Sequence, residues 1–435
     1  MSDSIYLQTA IQVAHYLEQF EIQDKDGIYW DISNSFQGDW EYYDNISLYA
    51  GSSGIIKFLI ALYHATDDKR FLNKAIKAGK HIVNRLLISD ELVGRAFSKF
   101  AFTTGLGGVI FVLDELYTET TDTTFSDIVK NLLDEIVSVD NGQGAWSGQI
   151  GITADGGTAL LLIKLAQKYQ IQGAKERLYK FGQYVLSQKR VDKDGQQYYL
   201  GMELHYVNGP EEKFNSGFPL GPSGVAFTLL KLWEYTGEKS FFEGTEGIDE
   251  FYHYHSIDSE KIFLPRLLPD DNHICYVGYC AGPAGTARYF YEEYLKTKET
   301  QYLDDFENAI AGLTLVNAPY ERSKGFWEID NYCCGTSGIL QLFIAAYIIT
   351  GKEKYLTLAK DTGDILIKRA KSNENGIYWE QAFEQKNPNI ITVALGYYDG
   401  ISGIASSLIQ LDALLKEKFS TVRLVDDPFP SRWEK

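Results

Sequence analysis

The chain has 435 residues, 59 of them acidic and 41 basic, for a formal net charge of −18. Hydrophobic residues make up 45% and aromatics 14%, ample for a packed core, which excludes bulk disorder. So acidic a chain is a poor binder of nucleic-acid backbone or of an anionic membrane surface, both of which select Lys and Arg.

The opening MSDSIYLQTAIQVAHYLEQF predicts an amphipathic helix carrying Asp3 and Glu18, with neither the basic start nor the unbroken apolar stretch of a targeting signal. The longest apolar runs, such as Gly338 to Thr350, are too short to span a bilayer. The expectation is a soluble, cytoplasmic protein with no transmembrane segment.

Next comes DGIYWDI (Asp26 to Ile32), the first of three Trp-bearing segments; KGFWEID (Lys324 to Asp330) and NGIYWEQ (Asn375 to Gln381) are the others. They predict short strand-like loops at one end of the molecule, whose aromatics either cover that end or stack on a ligand.

From Gly51 onward a small turn followed at once by an apolar helix recurs seven times, with a mean period of about 58 residues. The turns are Gly51 to Gly54, Gly105 to Gly108, Ala154 to Gly157, Gly221 to Gly224, Gly282 to Gly285, Gly335 to Gly338 and Gly400 to Gly403. Between them lie amphipathic patterns such as DDKRFLNKAIKAGKHIVNRLL, apolar at i, i+3, i+4 and i+7. One buried and one half-exposed helix per repeat make a helical hairpin. The first and last copies are as apolar as the middle ones, so a closed ring is favoured over an open solenoid with polar caps. The predicted fold is all-α: an α,α-toroid of seven inner and seven outer helices, one domain over residues 1–435. At each turn glycine permits positive φ and close backbone approach, and free N–H groups there favour anions; the plainer reading is helix packing alone.

All four cysteines fall late, at Cys275, Cys280, Cys333 and Cys334. Cys280 lies two residues before the first glycine of the fifth turn, and Cys333 holds the same place in the sixth, followed by Cys334. Three thiols from adjacent repeats thus reach one level of the ring. Three thiolates suit tetrahedral Zn²⁺ and leave a fourth position for water or substrate; the competing reading is a group of buried apolar cysteines. Cys275 is out of register.

Glycine turns on an α,α-toroid, with cysteines at the fifth and sixth, resemble the lanthionine synthetase C (LanC) family over essentially the whole chain. In that family a C-x-G-x-x-G turn and a following C-H-G turn supply Cys, Cys and His to zinc. Cys280-Ala281-Gly282 matches the first. Cys333-Cys334-Gly335 matches the C-C-G form of the second, found in a subset of the family, with Cys334 in the place of the histidine. Ser47 to Ile55 (SLYAGSSGI) resembles the matching turn in the cyclase domains of larger bifunctional synthetases, and no length remains here for a dehydratase or kinase domain.

The resemblance implies a zinc-dependent cyclase acting on a dehydrated ribosomal precursor peptide, with a separate dehydratase as a further partner. A peptide cysteine thiolate would add to dehydroalanine or dehydrobutyrine to form a thioether. The family's usual histidine before the fourth turn is Leu220 here, its arginine four residues before the first zinc cysteine is Tyr276, and its early aspartate has no counterpart. Candidate substitutes are His205, His273, Tyr276, Asp155 and Asp399, the last at the position in its turn that Cys334 holds in the sixth. Three alternatives remain: addition of another thiol such as glutathione, a weakly catalytic scaffold binding peptide or partner, and a carbohydrate-active α,α-barrel using paired acids.

Overall fold

The computed structural model describes residues 4–30, 32, 46–87, 98–202, 213–269, 274–321, 329–384, 387–417 and 423–430. Seven helices each start on a repeat turn: α2 (Ser52–Thr66), α4 (Leu106–Thr120), α6 (Asp155–Leu165), α8 (Pro222–Thr236), α11 (Pro283–Thr297), α13 (Thr336–Thr350) and α15 (Ile401–Lys416). Each packs on the next, and α15 packs on α2, so the ring closes. Residues 52–62 of α2 are buried without a break, as expected of an inner helix apolar on every side.

The outer helices are α1 (Ile5–Glu18), α3 (Lys69–Leu86), α5 (Thr123–Ser138), α7 (Ala174–Ser187), α12 (Thr300–Gly312) and α14 (Glu353–Arg369). The remaining outer position departs from one continuous helix: it is split into α9 (Lys239–Glu243) and α10 (Ile248–His255), because Gly247 adopts φ 82° between them. Several outer helices begin on a side-chain cap, as with Asp68 on Arg70 N and Asp122 on Thr124 N. The first outer helix, α1, packs on the last inner one, α15, and Ser4 hydrogen-bonds Asp412 there. The two ends of the chain thereby complete each other's hairpin.

The turn glycines serve close approach. The first glycines that cap the inner helices have negative φ, for example −100° at Gly51 and −135° at Gly400, so the left-handed conformation allowed by the sequence is not used. Instead, a Cβ on the second glycine would sit closer than 3.0 Å to a carbonyl oxygen of the incoming strand: that of Leu48 for Gly54, Phe218 for Gly224, Tyr279 for Gly285 and Tyr397 for Gly403. Gly54 also meets Tyr397 of the seventh repeat, so the same kind of contact closes the ring. The turn N–H groups are largely engaged by the chain itself, as in Leu106 N to Lys99 O at 2.9 Å and Ile401 N to Ala394 O at 2.9 Å. They are architecture rather than an anion site.

A second circular feature runs through the residues two before the first glycine. Cys280 N donates to Cys333 O at 2.8 Å, Cys333 N to Tyr398 O at 2.8 Å, Tyr398 N to Tyr49 O at 3.0 Å and Tyr49 N to Thr103 O at 2.8 Å. Pro219 holds this position in the fourth repeat and cannot donate.

The strands form five two-stranded sheets among the described residues, all between the end of an outer helix and the start of the next inner one. Two carry the predicted Trp segments: β1 (Glu21–Asp24) with β2 (Gly27–Trp30), and β7 (Lys371–Asn373) with β8 (Gly376–Tyr378). Trp30 and Trp379 are buried and donate their indole N–H to Leu17 O at 3.2 Å and Leu366 O at 2.8 Å, closing the ends of outer helices. The Trp327 segment lies largely outside the described residues.

Candidate metal centre

The circular backbone ladder sets the site. Because Cys280 N bonds Cys333 O, the fifth and sixth turns are held side by side, and the sulfurs that follow converge. Cys280 Sγ lies 3.0 Å from Cys334 Sγ, and Cys334 Sγ 3.6 Å from Cys333 Sγ. All three lie within 4.8 Å of one another, the one such metal-competent group among the described residues. A tetrahedral zinc with Zn–S bonds of about 2.3 Å needs sulfurs about 3.8 Å apart, so the three fit the ion with small adjustments. Cys333 and Cys334 are buried and Cys280 is half-buried.

The thiols share charge. Hydrogen bonds from Cys333 and Cys334, then the Arg266 guanidinium, hold Cys280 well below the usual thiol range. Its thiolate pushes the other two up. One thiolate cradled by two thiols is a donor set that a soft-to-borderline dication completes by displacing protons.

Around the sulfurs stand groups that the repeat pattern does not announce. Asn331 Oδ1 accepts Cys334 N at 2.9 Å, and its Nδ2 donates to Asp399 O at 3.1 Å, a carbonyl also held by Gln381 Nε2 at 2.9 Å. The Tyr49 hydroxyl hydrogen-bonds the Cys333 thiol, and its ring stacks on Tyr398 at 5.5 Å. Arg266 Nη1 donates to Tyr276 OH at 3.1 Å, with the guanidinium 5.1 Å from the ring centroid.

Of the candidates read from the sequence, Cys280, Cys333, Cys334, Tyr276 and Asp399 come together. Tyr276 is buried, and burial, opposed by the Arg266 guanidinium and aided by the three cysteines, pushes its hydroxyl up, so it keeps its proton. Asp399 is buried near Cys333, its Oδ1 has no hydrogen-bond partner among the described residues, and burial pushes its carboxyl well above the usual range. Asp155 does other work: its carboxylate accepts N–H bonds from Trp146, Ser147 and Gly148 at 2.9–3.0 Å and the Ser147 hydroxyl at 2.7 Å, anchoring the loop ahead of α6. His205 and His273 lie outside the described residues. Cys275 is buried and is not in the three-sulfur group.

Tyr49 was visible only as part of an opening turn, and Arg266 and Asn331 carried no periodic signal. Arg266 supplies, from ten residues upstream, a cation against the tyrosine that stands where the family has arginine.

The comparisons bear on the fold and the family. No curated protein sequence matches. Nisin cyclase is similar in structure, with a TM-score of 0.60 at 13% identity over 86% of this chain and 94% of that one. An α-1,6-mannanase from Salegentibacter sp. HEL1_6 matches less well, with a TM-score of 0.44 at 14% identity over 94% of this chain and 99% of that one. The family model described as lanthionine synthetase C-like protein matches residues 42–424. With its closed ring, its seven glycine turns and that match over most of its length, the chain belongs to the lanthionine synthetase C-like proteins.

Proposed function

We propose that this protein is a zinc-dependent lanthipeptide cyclase, which adds a peptide cysteine thiolate to dehydroalanine or dehydrobutyrine to form lanthionine or methyllanthionine rings. The observation that carries the reading is the convergence of the Cys280, Cys333 and Cys334 sulfurs, a three-ligand set that leaves a fourth tetrahedral position for the substrate thiol. These three residues would hold Zn²⁺, and the chemistry it would supply is acidification of a fourth, substrate thiol so that it reacts as thiolate near neutral pH.

The remaining chemistry belongs to the chain. The new C–S bond forms at the alkene β-carbon, the π electron pair moves onto the α-carbon and its carbonyl, and one proton returns to the α-carbon. The thiol proton lost equals the proton regained, so composition is unchanged. Tyr276, which keeps its proton, returns it, and Arg266 beside it stabilises the enolate oxygen. Asp399, also held protonated, is the other acid within the site. Asn331 fixes the backbone of both Cys334 and Asp399.

The proposed partners are a dehydrated ribosomal precursor peptide and a separate dehydratase, in the cytoplasm, where free thiols stay reduced. No helix among the described residues is long and apolar enough to cross a membrane. The test mixes the protein with a dehydrated, cysteine-containing precursor. Loss of free thiol at unchanged mass supports cyclisation. No thiol loss overturns it in favour of a binding scaffold, and a mass gain of one glutathione points to intermolecular thiol addition. Tyr276→Phe and Asp399→Asn then separate the two acids, the true one losing about 10²-fold or more in rate.

A further inference from the structure

The segment Arg423–Pro430 runs back into the ring, and most of it lies past the residues matched by the family model. Asp426 is fully buried and Phe429 nearly so. Phe429 anchors the segment against Tyr291 and Phe306, with centroids 5.8 and 5.9 Å away on α11 and α12. Two adjacent carboxylates are thereby delivered to the ring's interior. Asp426 accepts the Tyr279 hydroxyl, and Asp427 lies 3.5 Å from Arg288 Nη1 and 3.0 Å from Arg423 Nη1. Arg288, itself 2% exposed, donates to Tyr332 OH at 2.7 Å.

Burying two aspartates and an arginine costs desolvation that apolar residues of the same volume would avoid, so stability alone gives no reason for this network. Its geometry gives one. The two tyrosines it grips, Tyr279 and Tyr332, immediately precede Cys280 and Cys333 in the chain. Their rings stack at 5.5 Å, and the backbones that follow are joined by the Cys280 N to Cys333 O bond. The Cys280 and Cys333 sulfurs therefore each follow in the chain a tyrosine whose side chain is tied down by the buried charges.

We propose that the C-terminal segment is a brace for the cysteine cluster: Asp426, acting through Tyr279, and Arg288, held by Asp427 and acting through Tyr332, fix the spacing of the Cys280 and Cys333 sulfurs for the metal. These are positioning residues; none of them touches the metal or the reacting atoms. The proposal rests on the zinc reading given above. Removing the brace leaves the ligands present but unfixed, so metal binding must pay for ordering them, in the way that loss of an outer-shell partner lowers metal affinity.

The experiment uses the full-length protein and Zn²⁺ alone, titrated in competition with a chromophoric chelator, with the melting temperature of each metal-free variant recorded alongside. The wild type is titrated first: failure to take up zinc sinks the metal-centre reading, and the brace falls with it. Given wild-type binding, Tyr279→Phe and Asp426→Leu each weaken zinc affinity by about tenfold or more, and the double variant is no weaker than the poorer single one, because both cut the same path. Leu133→Ala, on α5 away from the cysteine cluster, removes buried apolar surface and lowers the melting temperature while changing zinc affinity less than about threefold. Unchanged affinity in Tyr279→Phe and Asp426→Leu overturns the brace. So does an affinity loss in Leu133→Ala as large as theirs, since zinc binding would then merely follow stability.

Discussion

Under the second, third and fourth turns the ring buries Phe102, Ile152 and Phe218, with Phe111, Leu160 and Phe227 one layer further in. Under the fifth, sixth and seventh turns the same two layers are Tyr279, Tyr332 and Tyr397, then Arg288, Gln341 and Ser406. The phenylalanines meet edge to face, Phe102 on Phe111 at 5.6 Å and Phe218 on Phe227 at 5.4 Å. The tyrosines reach across the middle: Tyr279 and Tyr398, from repeats that are not neighbours, lie 5.5 Å apart. Both halves share the glycine register. The backbone therefore carries no chemistry of its own, and the polar half alone holds the thiols and the C-terminal segment. A repeat whose geometry is enforced by carbonyl-to-glycine packing leaves its inward positions free to diverge.

The largest effect should be blind to this division. In Gly224→Ala, in the apolar half, and Gly403→Ala, in the polar half, the new Cβ meets a backbone carbonyl that cannot swing away. Each is expected to cost about 3 kcal/mol or more, or to prevent folding, as measured by urea denaturation and soluble yield. Tolerance of one and not the other would break the claim of a common register.

Next in size is an effect within the polar half. Glu293 is buried on α11, and burial raises its carboxyl to about 7, against lowering hydrogen bonds from Thr245 and Tyr289. Leu116, Leu165 and Leu232 occupy the same register in the apolar repeats and are buried without charge. A carboxyl whose folded pKa lies above its unfolded value holds more protons when folded. Its contribution is then complete below about pH 4.5 and is lost as pH rises through about 7, a change of about 3 kcal/mol. Glu293→Gln should match the wild type near pH 4.5 and exceed it by about that amount at pH 8 in urea midpoints. A gap independent of pH would show that Glu293 is charged throughout.

What the sequence made legible follows the same division between register and cargo. The seven turns and the in-phase Cys280 and Cys333 were readable because a fixed period leaves its mark on composition, and ring closure followed from the apolar end repeats. The split at Gly247 was hidden, since a helical pattern persists across it. Arg266, Tyr49, Asn331 and Asp426 were hidden for another reason: each reaches the site from a stretch outside the helical periodicity or from a distant turn, and only the folded backbone brings it there. Asp155 misled because a carboxylate at a helix start looks the same whether it faces a mouth or ties down its own loop.

A smaller effect concerns the charge of the site. Cys334→His converts the all-sulfur cluster to two sulfurs and one nitrogen with little change in fold, so the melting temperature of the metal-free protein should shift by only a few degrees. With zinc bound, a fourth thiol held by three thiolates is less acidified but more nucleophilic than one held by two thiolates and a neutral imidazole. An alkylating agent should consume a zinc-bound peptide thiol faster in the wild type than in Cys334→His; equal rates would refute the effect.

The smallest effect tests where the polar half ends. Tyr49 belongs to the first repeat and holds the ladder position that Cys280 and Cys333 hold in theirs, and its hydroxyl bonds the Cys333 thiol across the closing seam of the ring. In Tyr49→Phe the ring still stacks on Tyr398 and the backbone ladder is untouched, so the fold loses nothing but one hydrogen bond to sulfur, worth about 1 kcal/mol. Zinc affinity should fall by about threefold, with the melting temperature lowered by no more than about two degrees. An affinity equal to wild type would confine the polar half to repeats five to seven. A loss as large as that from Tyr279→Phe would mean that the first repeat, rather than the brace, is the principal support of the Cys333 sulfur.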